Sequence, residues 1–309
     1  MISNRLKIGL ALGGGGARGL AHIGVIRALL RADIPIHCIS GSSIGAIVGA
    51  MYASTLDVDG VQKRFEMFAR SEMFKSLGLE RLRPTPNREP TFFDNITRQI
   101  KNRVVMNVAT NRLSILNIER LEKTVKFLVR DIGFSDMQIP LSVIATNIKS
   151  GEVVCFTEGD LFRPLVASAA IPGYNPPVEI DGKLFIDAAV GSPEPVQECY
   201  DLGADFVIAS SASSNPAFDR DFENVLDVVG RTEQITTNKF ARTQLEKSDI
   251  AICPEYGTIH WSEFNKVEKI TKIGEEATKI MIPEIKAKIK QRKRDWRKFF
   301  RRFQTSQKK

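Results

Sequence analysis

Apolar positions cluster at the start of the chain in short unbroken runs instead of alternating with polar ones. Lys7–Leu12 ("KIGLAL") reads as a buried strand that stops at a glycine loop, and Ala17–Asp33 ("ARGLAHIGVIRALLRAD") reads as a helix, apolar around much of its surface. Ile36–Ser40 ("IHCIS") is a second short apolar strand and Ser43–Ser54 ("SIGAIVGAMYAS") a second helix. Strand, loop and helix repeated twice at this spacing predict βαβ units and a parallel sheet. Residues 57–136 differ, being charged and mostly helical in pattern, with "RLRPTPNREP" as an exposed loop. Strand signals return in "LSVIATNI" and "EVVCFT", joined through Lys149-Ser150-Gly151, and in "PVEI" and "KLFID", joined at Asp181-Gly182, a strong two-residue hairpin signal. "DFVIAS" and "DIAICP" are later buried strands, separated by a polar helix from about Asp221 to Lys247. The expectation is one α/β catalytic domain over 1–283 with core motifs in 7–255, a helical insertion at about 57–136, and a basic amphipathic helix over 284–309.

Composition agrees with a globular chain: 309 residues, 43% hydrophobic and 26% charged, with no apolar run of membrane-spanning length. The first residues lack a cleavage-site pattern and read as a strand, not a signal peptide. The four cysteines, Cys38, Cys155, Cys199 and Cys253, are widely spaced without a metal-ligand pattern, as in buried reduced thiols of a cytosolic protein. The net charge of +8 is uneven, because 284–309 holds twelve Lys/Arg against two acidic residues, +10, which leaves 8 − 10 = −2 for the rest. Attraction to anions therefore belongs to the tail.

The chemistry concentrates in three places. Gly41-Ser42-Ser43-Ile44-Gly45 satisfies G-x-S-x-G only with Ser43 at its centre. A nucleophile on a sharp strand-to-helix turn needs flanking residues without side chains, and the helix after it aims N–H groups, beginning with Ile44, at a forming oxyanion. A structural turn is the competing reading. The three histidines make a poor base for Ser43: His22 lies in an apolar helix, His37 opens the second strand at the wrong end, and only His260 in a late loop is reachable. Asp187 ends an apolar strand and is followed by Ala188, Ala189 and Gly191, which suits either a base acting directly or a cap of the next turn. Gly14-Gly15-Gly16-Ala17-Arg18-Gly19 fits the dinucleotide pattern G-x-G-x-x-G, but the second strand ends in Ser40-Gly41-Ser42 and lacks the acid that would hold a ribose. Such glycines also let backbone N–H groups converge on an oxyanion, with Arg18 bracing the loop, facing an anionic head group, or standing free at the surface.

"GGGGARG", "GSSIG" and "DAA" in that order, with "RGLAHIGVIRAL" and "ASAAIPGYNPPVEIDGKLFIDAAV", make the chain resemble the patatin-like phospholipases from about Lys7 to Glu255. The resemblance implies a three-layer α/β/α fold with a mainly parallel sheet. It implies a Ser43–Asp187 dyad without histidine, an oxyanion loop at Gly14, Gly15 and Gly16, no metal and no cofactor. Gly41, Gly45, Arg18, Gly19, Ala188 and Ala189 complete the motifs, Ala188 standing where the family usually has glycine. The function implied is hydrolysis of lipid carboxylic esters. The alternatives are a non-catalytic membrane- or nucleic-acid-binding protein on the same scaffold, or an oxidoreductase. In the tail, Ile285, Ile289, Trp296, Phe300 and Phe303 share one face. That face either docks on the domain or, with the Lys/Arg around it, meets an anionic bilayer; nucleic acid is the weaker partner. A cytoplasmic protein, peripheral on the inner face of the membrane, is expected.

Overall fold

The structure, a computed structural model, describes residues 6–76, 114, 116–213 and 225–306. Its strands are β1 (Ile8–Leu12), β2 (Cys38–Ser42), β3 (Leu141–Asn147), β4 (Val153–Phe156), β5 (Val178–Ile180), β6 (Lys183–Ile186), β7 (Phe206–Ser210) and β8 (Ile250–Ile252). Its helices are α1 (Ala21–Arg31), α2 (Ile44–Thr55), α3 (Val58–Arg70), α4 (Glu72–Ser76), α5 (Ile118–Val129), α6 (Phe162–Ser168), α7 (Val196–Asp201), α8 (Val225–Leu245) and α9 (Val267–Ser306). All eight strands form one sheet in the order β5-β6-β3-β2-β1-β7-β8, with β4 also paired to β3. The run β3-β2-β1-β7-β8 is parallel and the β4, β5 and β6 pairings are antiparallel. The α/β architecture with a mainly parallel sheet is as expected. The "RLRPTPNREP" loop and much of the region read as an insertion lie outside the described residues, which retain α3, α4 and α5 there.

The two faces of β1 explain the layers. Successive strand residues point to opposite sides, so Ile8, Leu10 and Leu12 enter the large core under α1 and α2 while Ala11 enters a smaller cluster with Val196 and Cys199 of α7. β2 begins at Cys38 and runs to Ser42, two residues later than the apolar pattern indicates. Its small residues Ser40, Gly41 and Ser42 are kept extended by the ladder with Ser142, Val143 and Ile144 of β3. Asp181 and Gly182 turn the β5–β6 hairpin with φ of 50° and 72°, the mirror-image turn their types favour.

The tail helix starts earlier than its charge suggests, at Val267, and continues through Pro283. It crosses α1 where both helices carry glycine. A Cβ at Gly24 would overlap the Thr271 carbonyl, and one at Gly274 the Ala21 carbonyl. The Thr271 hydroxyl donates to the Leu20 carbonyl at 3.3 Å across the same seam. Ile285 and Ile289 are buried in the main core, so that part of the apolar stripe docks on the domain. Phe300 and Phe303 lie outside the residues whose side chains are described. The cysteines divide: Cys38 and Cys199 are buried, but Cys155 and Cys253 are exposed, contrary to the expectation of four buried thiols. Cys155 lies on β4, which pairs on one side only, and Cys253 follows the last residue of β8. Among the described residues no helix is long and apolar enough to cross a membrane.

Candidate active site

Ser43 stands at the C-terminal end of the parallel strands, between β2 and α2, with φ 54° and ψ −122°. Positive φ is costly for a residue with a Cβ and marks a position its surroundings over-determine. Those surroundings are close-packed backbone. A Cβ at Gly41 would overlap Ala46, and one at Gly45 would overlap the Leu12 carbonyl. The Ser43 N–H donates to Ser168 Oγ at 2.9 Å, which ties the elbow to the end of α6. Ser42 points elsewhere; it is fully buried and its hydroxyl has no hydrogen-bond partner among the described residues.

The Ser43 hydroxyl donates to Asp187 Oδ2 at 2.7 Å. The other oxygen, Oδ1, accepts the Ala189 N–H at 2.8 Å, so Asp187 caps the following 3-10 turn and meets Ser43 with the same carboxylate. Its own N–H donates to the Ala170 carbonyl at 2.9 Å. Burial pushes the Asp187 pKa up to about 6 against the opposing pull of the Ala189 and Ser43 hydrogen bonds. A carboxyl so placed is mostly ionised at neutral pH and basic enough to take a proton.

The glycine loop is anchored at both ends. Gly13 N–H donates to the Ser210 carbonyl at 3.0 Å and Ala17 N–H to the Trp261 carbonyl at 2.6 Å. Gly14 N–H donates to the Pro193 carbonyl at 3.0 Å, so this amide is not open to an oxyanion as the sequence pattern implied. The Gly15, Gly16 and Ile44 amides have no acceptor among the described residues. Arg18 is half-buried and braces the loop, its Nε donating to the Gly15 carbonyl at 3.5 Å; burial lowers its pKa. Gly19 allows Ile44 to pack against the loop's end, where a Cβ would overlap its side chain. Ala188 is fully buried and keeps a negative φ, while the Ala189 methyl lies beside Gly14.

The histidines have other work. His22 Nε2 donates to the Gly13 carbonyl at 2.9 Å, which leaves Nδ1 to accept from the Ser210 hydroxyl at 2.7 Å. Its complete burial pushes its pKa down to about 4 and keeps it neutral. His37 Nδ1 accepts the Ile8 N–H at the far end of the sheet, and His260 Nδ1 bonds Ser262 Oγ.

Sequence reasoning missed Ser168, Pro193 and Glu194. Glu194 is fully buried, and its Oε1 accepts from Ser211 at 2.5 Å and Ser213 at 3.1 Å. Its Oε2 has no partner among the described residues and lies so close to Gly13 that a Cβ there would overlap it. Burial pushes its pKa up to about 8. In "GSPEPV" nothing distinguishes such a residue from a surface turn glutamate; only the fold brings it under the glycine loop.

A family model for patatin-like phospholipase matches residues 10–200. An uncharacterized NTE family protein of Mycobacterium bovis is 32% identical over 218 residues, covering 70% of this chain and 51% of its own length. The neuropathy target esterase of Drosophila melanogaster is 30% identical over 223 residues, covering 72% of this chain and 14% of its own. The chain thus spans about half or less of the length of these relatives. Human GIVD cytosolic phospholipase A2, solved with a fluorophosphonate inhibitor and terbium chloride, shares the fold with a TM-score of 0.50 at 12% identity, covering 94% of this chain and 60% of that one. The family match takes in more than half of the residues, including the end of β1, the glycine loop, the Ser43 elbow and Asp187, and the chain belongs to the patatin-like phospholipase family.

Proposed function

We propose that the protein is a serine lipid acyl hydrolase that cleaves carboxylic esters of phospholipids or lysophospholipids through Ser43 and Asp187. The observation that carries this reading is the 2.7 Å hydrogen bond from Ser43 Oγ to Asp187 on a positive-φ elbow. Asp187 takes the Oγ proton as the serine attacks the ester carbonyl. The developing oxyanion is met by the amides of Gly15, Gly16 and Ile44, which have no acceptor among the described residues, strengthened by the N-terminus of α2. Collapse breaks the ester C–O bond, and the proton on Asp187 passes to the departing alcohol, leaving an acyl-serine. Water then gives a proton to Asp187 as its oxygen attacks the acyl carbonyl. The fatty acid departs and the proton returns to Ser43 Oγ.

The lipid surface meets the end of the molecule where Ser43 stands. As the connection between parallel strands β7 and β8, α8 runs back from that end. At about 1.5 Å per residue its 21 residues span about 31 Å, roughly twice the length of a five-residue strand. Its first turns therefore reach past the strand ends, and there Val225, Val228 and Val229 are 75%, 48% and 57% exposed. An apolar stripe in this position suits the head-group boundary of a bilayer. In α9, Ile285 and Ile289 dock that part of the apolar stripe on the domain, and the basic stretch around them passes the opposite end of the sheet, away from Ser43.

A fluorophosphonate probe and a panel of acyl esters test the assignment. Wild type should be labelled at Ser43 and turn over the esters, and Ser43→Ala should do neither. Equal labelling of Ser43→Ala, or full turnover by it, would overturn the reading.

A further inference from the structure

At the far end of the sheet, α9 passes the start of β1 and the turn between α1 and β2, lining a half-open pocket of about 420 Å³. Volumes of this size suit small-molecule ligands. Ile8 and Ile34 form part of its wall, and Lys286, Lys290, Lys293 and Arg294 project from α9 around it; Asp33 is the single carboxylate among the lining residues. The local balance is 4 − 1 = +3.

These four cations differ from their neighbours on the same helix. Lys288 pairs with Glu284 and donates to the Asp249 carbonyl, while Arg292 pairs with Asp249 and donates to the Asp205 carbonyl. Among the described residues no carboxylate lies within ion-pair distance of Lys286, Lys290, Lys293 or Arg294. Positions separated by four, three and one place them on one side of the helix. Like charges at such spacing destabilise an isolated helix by a few tenths of a kcal/mol per pair. An anion bound between them reverses the sign of that interaction.

We propose that this pocket is a second, non-catalytic site that binds the phosphate group of a small soluble phosphomonoester. A dianionic phosphate offers several acceptor oxygens to converging ammonium and guanidinium donors and neutralises most of the local charge. The pocket is not part of the ester-cleaving site. Ile8 opens β1, whereas Ser43 lies beyond Gly41, the partner of Leu12 at the other end of that strand. Six residues at about 3.3 Å per residue put roughly 20 Å between the two levels. A lipid surface presented to Ser43 therefore lies at the opposite end of the strands, and the ligand source for the pocket is in solution. The choice of a soluble ligand rests on the reading of Ser43, whereas the binding of phosphate by the pocket does not.

Titration calorimetry of the full chain at about 0.15 M salt, where diffuse surface attraction is largely screened, tests this with glycerol 3-phosphate and inorganic phosphate as probes. Saturable binding of glycerol 3-phosphate is expected, weakened about tenfold or more in Lys286→Gln/Lys290→Gln and unchanged in the control Lys269→Gln/Lys272→Gln, which removes the same charge from the other end of α9. Circular dichroism establishes that both variants keep their helix content, since all four side chains are exposed. Vesicles carrying phosphatidic acid separate the two sources of phosphate. Weaker binding to them than to the soluble ester, per accessible phosphate, is the expected result. Binding confined to vesicles, absence of saturable binding, or an equal loss in the two double variants would overturn the proposal.

Discussion

Asp187 and Glu194 are buried carboxyls seven residues apart on one segment, and burial raises the pKa of both by different amounts. Asp187 accepts one hydrogen bond at each oxygen, from Ser43 and from the Ala189 N–H. Glu194 accepts two at one oxygen and none from described residues at the other, which is pressed against Gly13. Burial is the largest cause for both and raises both, Asp187 to about 6 and Glu194 to about 8, against two opposing hydrogen bonds in each case. At neutral pH the first is largely an anion able to take a proton, and the second largely a neutral acid under the glycine loop. Deep burial thus leaves one carboxyl able to act as a base near neutral pH and the other as an acid.

The harshest test of the contrast removes each charge in turn. Asp187→Asn keeps the shape but loses the base, and Ser43→Ala loses the nucleophile. Each should lower ester turnover by about three orders of magnitude or more, with little further loss in the double variant, because the two residues act as a unit. Glu194→Gln, equally isosteric, should remain within about tenfold of wild type at pH 7, since it replaces one neutral group with another. Ser42→Ala should also stay active, because the Ser42 hydroxyl has no partner among the described residues. Steady-state rates on a soluble ester decide all four, and a dead Glu194→Gln beside an active Asp187→Asn would exchange their roles.

Titration sharpens the comparison next. Protonation of Asp187 removes the base, so kcat/KM should fall below about pH 6. Above about pH 8 Glu194 ionises and places a negative charge beside the loop that must receive an oxyanion, so the rate should fall again. Tyr256 and Cys253 face the same carboxyl, and its charge opposes their ionisation as well. Glu194→Gln should lose the alkaline limb and keep the acid one. Stability carries the same sign. The folded pKa of Glu194 lies above its ordinary 4.5, so the native state holds the proton more tightly than the unfolded chain. This contribution is complete below pH 4.5 and is lost as pH rises through about 8. Denaturation midpoints of wild type should decline over that window more than those of Glu194→Gln.

The contact of α8 with lipid predicts a smaller and more selective effect. Val228→Glu/Val229→Glu adds charge to an exposed face and should leave turnover of a soluble ester unchanged. Hydrolysis of vesicle lipid should fall by about tenfold or more through weaker surface binding.

How much of this was legible in the chain follows from how local each cause is. The elbow was legible because Gly41 and Gly45 flank Ser43 at fixed offsets, and the β5–β6 hairpin because Asp181-Gly182 names its own turn. Asp187 was legible as an acid closing an apolar strand, although its meeting with Ser43 depends on strands distant in sequence. Ser168, Pro193 and Glu194 gave no signal, since each acts through contacts distant in the chain. The Gly14 amide could not be assigned either, because its acceptor, the Pro193 carbonyl, is far away in the chain. The stripe with Ile285 and Ile289 reads alike whether a domain or a bilayer covers it. The close approach at Gly24 and Gly274 is what fits α9 along α1.

The smallest expected effect concerns the residue next to Asp187. Ala188 stands where the family usually has glycine, and a methyl there would narrow the site if it faced the substrate. It is instead fully buried, with a negative φ that needs no glycine, and it begins the 3-10 turn capped by Asp187. Ala188→Gly therefore removes buried apolar surface and adds freedom to the unfolded chain, together costing about 1 kcal/mol. Turnover should change by less than about threefold, because Asp187 keeps its bonds to Ser43 and the Ala189 N–H. The turn would hold the base somewhat less firmly, so a small drop in kcat at constant KM is the expected signature. Chain-length preference across a series of acyl esters should not move. A broadened preference would mean that the methyl reaches the acyl chain.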